Sequence, residues 1–347
     1  MRYNLREYNQ YLHIRIMEKD LNKIIVNTIL QSIPPKIKPV AYLMDILGLG
    51  RESVYRRIRG EIPFTIDEIA KLSLKLDFSI DEVIGNSKKE RIFFDSFSNL
   101  STQSPDAFLV MLQDYYAYLL TKTSAQNSYS DVALNHIPII FFVYNDNLFK
   151  FAYFKWLHQN YPDSIKCQYS DMVVPPEIVE IQKKIEIESV KIDKATIILD
   201  PNVYLNLAKD LEYYYQRKLI SNEELESIKK DVLAYIDFVE MQAKTGSMAD
   251  GGTKIDYYLS SLYINISSFF MDCDNTQEAQ FWAFPINPVF VRYPEVCSLQ
   301  KKWFDTIKKH SILITRSNEI LQSEYFRKQR EYIENIKADN INNYLFI

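Results

Sequence analysis

Glycine is scarce in this chain: seven residues in 347, at positions 48, 50, 60, 85, 246, 251 and 252. No GxGxxG or GxxxxGK-Ser/Thr spacing can be drawn from them, which excludes the familiar phosphate-cradling loops. Cysteine is nearly as rare. Cys167, Cys273 and Cys297 are odd in number and far apart, with no CxxC pair and no disulfide framework. A reducing, cytoplasmic setting is expected. The four histidines, His13, His136, His158 and His310, show no HxxxH or HxxE spacing, so a metal site built on two adjacent ligands is not expected. Long apolar runs are missing too. The longest, "IPIIFFVY" at 137–144, falls well short of the ~18–20 residues of a membrane helix. The opening "MRYNLREYNQ" lacks the apolar core of a signal peptide. Neither a cofactor, a metal nor a membrane partner is expected.

What is present is a soluble globular composition: 47% apolar and 25% charged, over a length suited to two or three domains. The formal charge is −4, yet it is unevenly spread. Residues 36–60 hold Lys36, Lys38, Arg51, Arg56, Arg57 and Arg59 against Asp45 and Glu52, a local +4 that leaves −8 on the remainder. A basic patch on an acidic protein points to a local anionic partner. The plainer reading, a solvated helix face, stands beside it.

Periodicity and caps divide the front of the chain into five short helices. Residues 17–33 place Met17, Leu21, Ile24, Ile25, Thr28 and Ile29 on one stripe, ended by Pro34 and Pro35. "VAYLMDIL" (40–47) stops at Gly48, and a third helix covers 51–59. Thr65-x-x-Glu68 opens a fourth over 65–76, and Ser79-x-x-Glu82 a fifth that closes at Gly85.

Helices two and three meet through the short "GLG", a tight turn of the helix-turn-helix kind. Stepping about 100° per residue from Val54 brings Ile58 to the same, inward side. Glu52, Arg56 and Arg59 fall opposite, on a face able to enter a major groove, while Arg51 and Glu52 occupy the first turn. "YLMDILGLGRESVYRRIRGE" followed by "TIDEIAKLSLKLDFSIDEVI" resembles the lambda-repressor-like (Cro/XRE type) helix-turn-helix family over about residues 20–86. The resemblance rests on Leu43, Leu47-Gly48, Val54, Arg59-Gly60, Ile69 to Leu76, and Ser79 to Ile84. It implies a five-helix DNA-binding domain whose third helix reads double-stranded DNA. Arg51, Glu52 and Arg56 match base-reading positions. Ser53, Tyr55 and Arg59 match positions that touch phosphate. Arginine can bind guanine with two hydrogen bonds and glutamate can accept from cytosine. Lys36 and Lys38, just ahead of helix two, suit phosphate contact, and Arg57 projects to one side with a supporting charge. Met44 stands where the family has a small alanine, and Gly50 where it often has a hydroxyl cap. Such headpieces normally pair two-fold, so a homodimer is expected.

The rest is less specific. Its extent resembles long bacterial regulators that carry this headpiece and an uncharacterised α/β half. Helices are expected over 105–120, 147–159, 203–216, 222–244, from Pro294, and over 318–337. "KATIIL" (194–199) reads as a strand, 254–271 as strand-like, and "DCDN" as a turn leading into "EAQFWAF" (278–284). Ser221-x-x-Glu224 opens the 222–244 helix and Gly246 closes it. The fold expected is mainly α: residues 1–88 a helix-turn-helix domain, 89–125 a helical connector, and 126–347 a larger α+β regulatory or oligomerisation domain with a small, mostly antiparallel sheet. With 25 Tyr and 20 Phe, an aromatic-lined pocket for a small-molecule effector is one reading, core packing or a protein partner the other. Asp250, Asp256, Asp272 and Asp274 cluster near turns, but no histidine stands at a spacing that would make them catalytic. A transcriptional regulator without enzymatic activity is therefore expected, with a metal-dependent rear enzyme or an architectural protein as alternatives.

Overall fold

The computed structural model describes residues 21–34, 37–76, 78–80, 83, 92, 94–96, 106–161, 167–248, 252–282 and 288–336. The chain divides into two compact units, Met1–Phe93 and Phe94–Ile347.

The first unit is helical: α1 (residues 21–32), α2 (Pro39–Leu47), α3 (Arg51–Ile58) and α4 (Ile66–Leu76). The fifth helix expected at 79–85 lies mostly outside the described residues. Ile80 and Val83, which are described, are helical. One fully buried residue from each helix meets at the centre: Ile29, Leu43, Val54 and Leu72. Each such side chain contributes about 1.5–3 kcal/mol by leaving water. Gly48 closes α2 in the left-handed region (φ 65°), with its N–H on the Met44 carbonyl. Met44, the bulky residue at a small-residue position, packs half-buried against this core.

The second unit does not contain the small, mostly antiparallel sheet expected of it. Among the described residues its sheet has eight strands and is mixed, with spatial order β1-β7-β6-β5-β2-β3-β4-β8. The strands are β1 (Asp95–Ser96), β2 (Ser128–Leu134), β3 (Lys194–Leu199), β4 (Lys254–Ser260), β5 (Ser268–Cys273), β6 (Thr276–Phe281), β7 (Val289–Val291) and β8 (Ser311–Leu313). The centre, β2-β3-β4, is parallel, and antiparallel strands flank it on both sides. The reason is β2. "SYSDVAL" carries too many polar residues to read as a strand, yet it is the element on which both halves of the sheet are built. Residues 254–271 also divide: β4 runs parallel to β3, while β5 pairs antiparallel with β2 and β6. Asp274 and Asn275, both at positive φ, turn the β5–β6 hairpin.

Helices fill both crossovers, as parallel neighbours require. Between β2 and β3 lie α6 (Asp146–Asn160) and α7 (Pro176–Ser189), and between β3 and β4 lie α8 (Val203–Gln216) and α9 (Asn222–Thr245). With α5 (Ala107–Thr123) and α11 (Glu319–Glu334) they form the main apolar core on one face of the sheet. On the other face α10 (Pro294–Lys309) sets Cys297, Phe304 and Ile307 against Ala133, Ile198 and Phe270. The Ser221–Glu224 capping box opens α9, with hydrogen bonds of 2.8 and 3.2 Å. Gly246 closes it at φ 74°, where a Cβ would meet the Arg316 side chain at 2.8 Å.

Candidate nucleic-acid interface

Helix α3 is short and is held at both ends by backbone geometry. Gly50 is its N-cap in extended conformation and supplies no side-chain cap. At the other end Gly60 adopts φ 73°. Its N–H bonds the Arg57 carbonyl and the Glu61 N–H bonds the Arg56 carbonyl, both at 2.9 Å. This pair of bonds is a Schellman closure, which needs a residue free to take positive φ. It also folds Glu61 back onto the helix end.

Val54 is fully buried and Ile58 packs beside it, which fixes the inward face. Arg51, Glu52, Arg56 and Arg59 are exposed. The Arg51 guanidinium lies 5.7 Å from the centre of the half-buried Tyr55 ring. Ser53 is half-buried, and its carbonyl accepts from Arg57 at 3.2 Å. Lys38 is exposed at the N-cap of α2. Lys36 lies outside the described residues.

Two features went unread in the sequence. Arg57, expected to lend only supporting charge, is bound to Glu68 through two hydrogen bonds of 2.9 and 2.8 Å. Only 12% and 15% of the two side chains is exposed. Glu68 also accepts from the Thr65 N–H at 2.9 Å, while the Thr65 hydroxyl accepts from the Glu68 N–H. Burial opposes the charged form of Glu68. The bonds from Arg57 and Thr65 outweigh it and hold the carboxyl below its ordinary range. The α4 capping box and the side of α3 are thus one unit.

The other is Glu61. It holds Arg59 at 2.7 Å and lies 3.5 Å from Arg56. Glu52 accepts from Arg59 at 3.2 Å. The outer face of α3 is therefore a network of alternating charge. Each arginine on it is about half exposed, 50% for Arg56 and 51% for Arg59. Exposed pairs of this kind are weak and exchange readily for a stronger anion.

Residues 25–111 match the BetR domain. This is a helix-turn-helix-like family of DNA-binding domains, and the match points to a DNA-binding regulatory role. The matched stretch takes in α2, α3 and α4 entirely and ends in the second turn of α5. No curated protein and no solved structure is detectably similar to the chain.

Among the described residues no helix is long and apolar enough to cross a membrane, and no group of His, Cys, Asp and Glu is placed to hold a metal ion. Asp250 lies outside the described residues. The other three acidic candidates have separate local partners. Asp274 accepts from the N–H groups of Gln126 and Asn127 at 3.0 Å, Asp272 accepts from Gln277 at 3.0 Å, and Asp256 stands 3.8 Å from Lys194.

Proposed function

We propose that this chain is a one-component transcriptional regulator of the Cro/XRE kind that binds specific double-stranded DNA as a homodimer. Helix α3 enters the major groove, with Arg51, Glu52 and Arg56 at base edges. Ser53, Tyr55 and Arg59 contact phosphate, as do Lys36 and Lys38. The second unit dimerises and regulates. The observation that carries this reading is the outer face of α3, which sets the exposed Arg56 and Arg59 opposite a fully buried Val54, with Arg51 exposed in the first turn, within the BetR-matched stretch. On binding, phosphates displace Glu61 and Glu52 from Arg59, a like-for-like exchange of anions on one guanidinium.

The test is selection of random double-stranded DNA on the full-length chain, followed by footprinting. The expected result is a convergent site with two half-sites. Retention of DNA with no convergent sequence would replace this reading with an architectural one.

A further inference from the structure

In the second unit the helix-covered face of the sheet does not close completely. A cavity of about 140 Å³ remains between strands and helices. Strand register explains it. Ser130 of β2 lies beside Ala195 of β3, in a row that continues to Met271 of β5 and Ile255 of β4. The two central positions of that row carry its two smallest side chains. Two residues along, Val132, Ile197, Phe269 and Tyr257 form a row of large ones. Tyr115 and Leu119 of α5 and Phe238 and Val239 of α9 cover the space from above. Most of the wall is apolar or aromatic. Tyr257 also lines the space, and its hydroxyl already donates to Gln242 at 2.6 Å.

One end is polar and incomplete. Gln280 of β6 lines the cavity, pairs with Phe269 and is 1% exposed. Its amide nitrogen donates to Glu278 at 2.8 Å and to the Tyr118 hydroxyl at 2.6 Å. Glu278, flanked by Lys122 at 3.5 Å and Arg292 at 3.0 Å, acts only as an acceptor, which fixes the way round the Gln280 amide sits. Its carbonyl oxygen Oε1 is then buried with no hydrogen-bond partner among the described residues. A buried acceptor with nothing to accept from is costly, and a ligand donor would remove that cost. An apolar cavity of about 150 Å³ accommodates one benzene ring.

We propose that this cavity binds a small single-ring aromatic molecule carrying one hydrogen-bond donor, its ring over Ser130 and Ala195 and its donor on Gln280 Oε1. The binding is independent of DNA. That such a molecule acts as an effector rests on the regulatory reading above, so failure of one leaves the other standing.

The probe is phenol, titrated calorimetrically into the full-length protein without DNA, with benzene as the ring lacking a donor. Phenol is expected to bind saturably and to raise the melting temperature, with affinity about fivefold above that of benzene. Ser130→Val combined with Ala195→Val fills the void and should weaken both compounds about tenfold or more, with the circular dichroism spectrum unchanged. Gln280→Leu should bring phenol down to benzene's affinity and leave benzene unaffected. Three results would overturn the proposal: no saturable phenol binding up to its solubility, phenol binding no tighter than benzene, or full binding by the folded double variant. Should the double variant fail to fold, the comparison of phenol with benzene on the unaltered protein decides.

Discussion

Arg57 and Glu68 clasp each other across the loop that follows α3, a bidentate pair of hydrogen bonds of 2.9 and 2.8 Å in a mostly buried setting. The clasp ties the helix proposed to read DNA to the cap of the helix behind it. Arg57→Met strips Glu68 of its cation and should destabilise the first unit by about 1–3 kcal/mol. Glu68→Gln should cost a similar amount, and the two effects should overlap strongly in a double-mutant cycle. Neither should alter base preference. Acid should act on the same pair. Burial works against the Glu68 carboxylate, but Arg57 and Thr65 depress its pKa overall. Its contribution is therefore present above the unfolded-state value, about 4.3, and is lost as pH falls through the lower folded value. Denaturant titrations of the first unit at several acidic pH values should show that loss in the parent and a flatter profile in Glu68→Gln.

His136 gives the second unit its own acid sensitivity. It follows β2, with Nδ1 2.9 Å from Asn135 Oδ1 and 3.1 Å from Ser267 Oγ. Burial, with a smaller contribution from Lys155, lowers its pKa to about 4. The unfolded chain therefore takes up this proton first, so stability is full above about 6.5 and declines as pH falls towards 4. The decline attributable to His136 should be of order 1–3 kcal/mol and should shrink in His136→Gln. Melting curves of the second unit that show no difference between parent and variant across this range would exclude the effect.

How much of this could be read in the letters depends on how local the physics is. Gly48, the Thr65–Glu68 box, the Ser221–Glu224 box, Gly246 and the strand at 194–199 declare themselves within a few residues, and each is found in place. The buried side of α3 was legible from Val54 and Ile58 for the same reason. Strand β2 was not. Asp131 sits inside it, 2% exposed, because Lys301 reaches it at 2.6 Å from 170 residues away. Ser130 sits there because it borders a void. Without β2 the parallel centre of the sheet could not be inferred, and an antiparallel hairpin was all that remained. Glu61 was a different kind of omission. Arg59-Gly60-Glu61 signals a helix closure, and that closure alone brings the carboxylate back over Arg56 and Arg59.

Dimerisation bears directly on the proposed mode of binding. One headpiece covers one half-site, so two copies should footprint two half-sites about 10–10.5 base pairs apart or a multiple of that. Light scattering of the full-length chain should give twice the monomer mass at micromolar concentration. A strict monomer with a single unrepeated footprint would rule the arrangement out.

The charges on the outer face of α3 should separate into distinct roles. Arg56 stands in the last turn of α3 and Arg59 is its C-cap, and both are half exposed. Arg56→Ala should cost about 1–3 kcal/mol on the preferred site and relax preference at one base pair. Arg59→Ala should weaken all sequences alike and reduce the salt slope by about one. Glu61→Gln tests the network from the other side. It frees Arg59 from its 2.7 Å partner and removes a negative charge from the face meant for phosphate. Affinity for every sequence should rise, most at low salt, with base preference unchanged. All three variants should stay folded, since none of these side chains lies on the Val54 side. Val54→Asp should instead unfold the first unit by burying an unpaired charge. Titrations against the preferred site and its point mutants at several salt concentrations measure each of these effects. Base preference untouched by Arg56→Ala, or affinity lowered by Glu61→Gln, would mean that α3 does not sit in the groove as proposed.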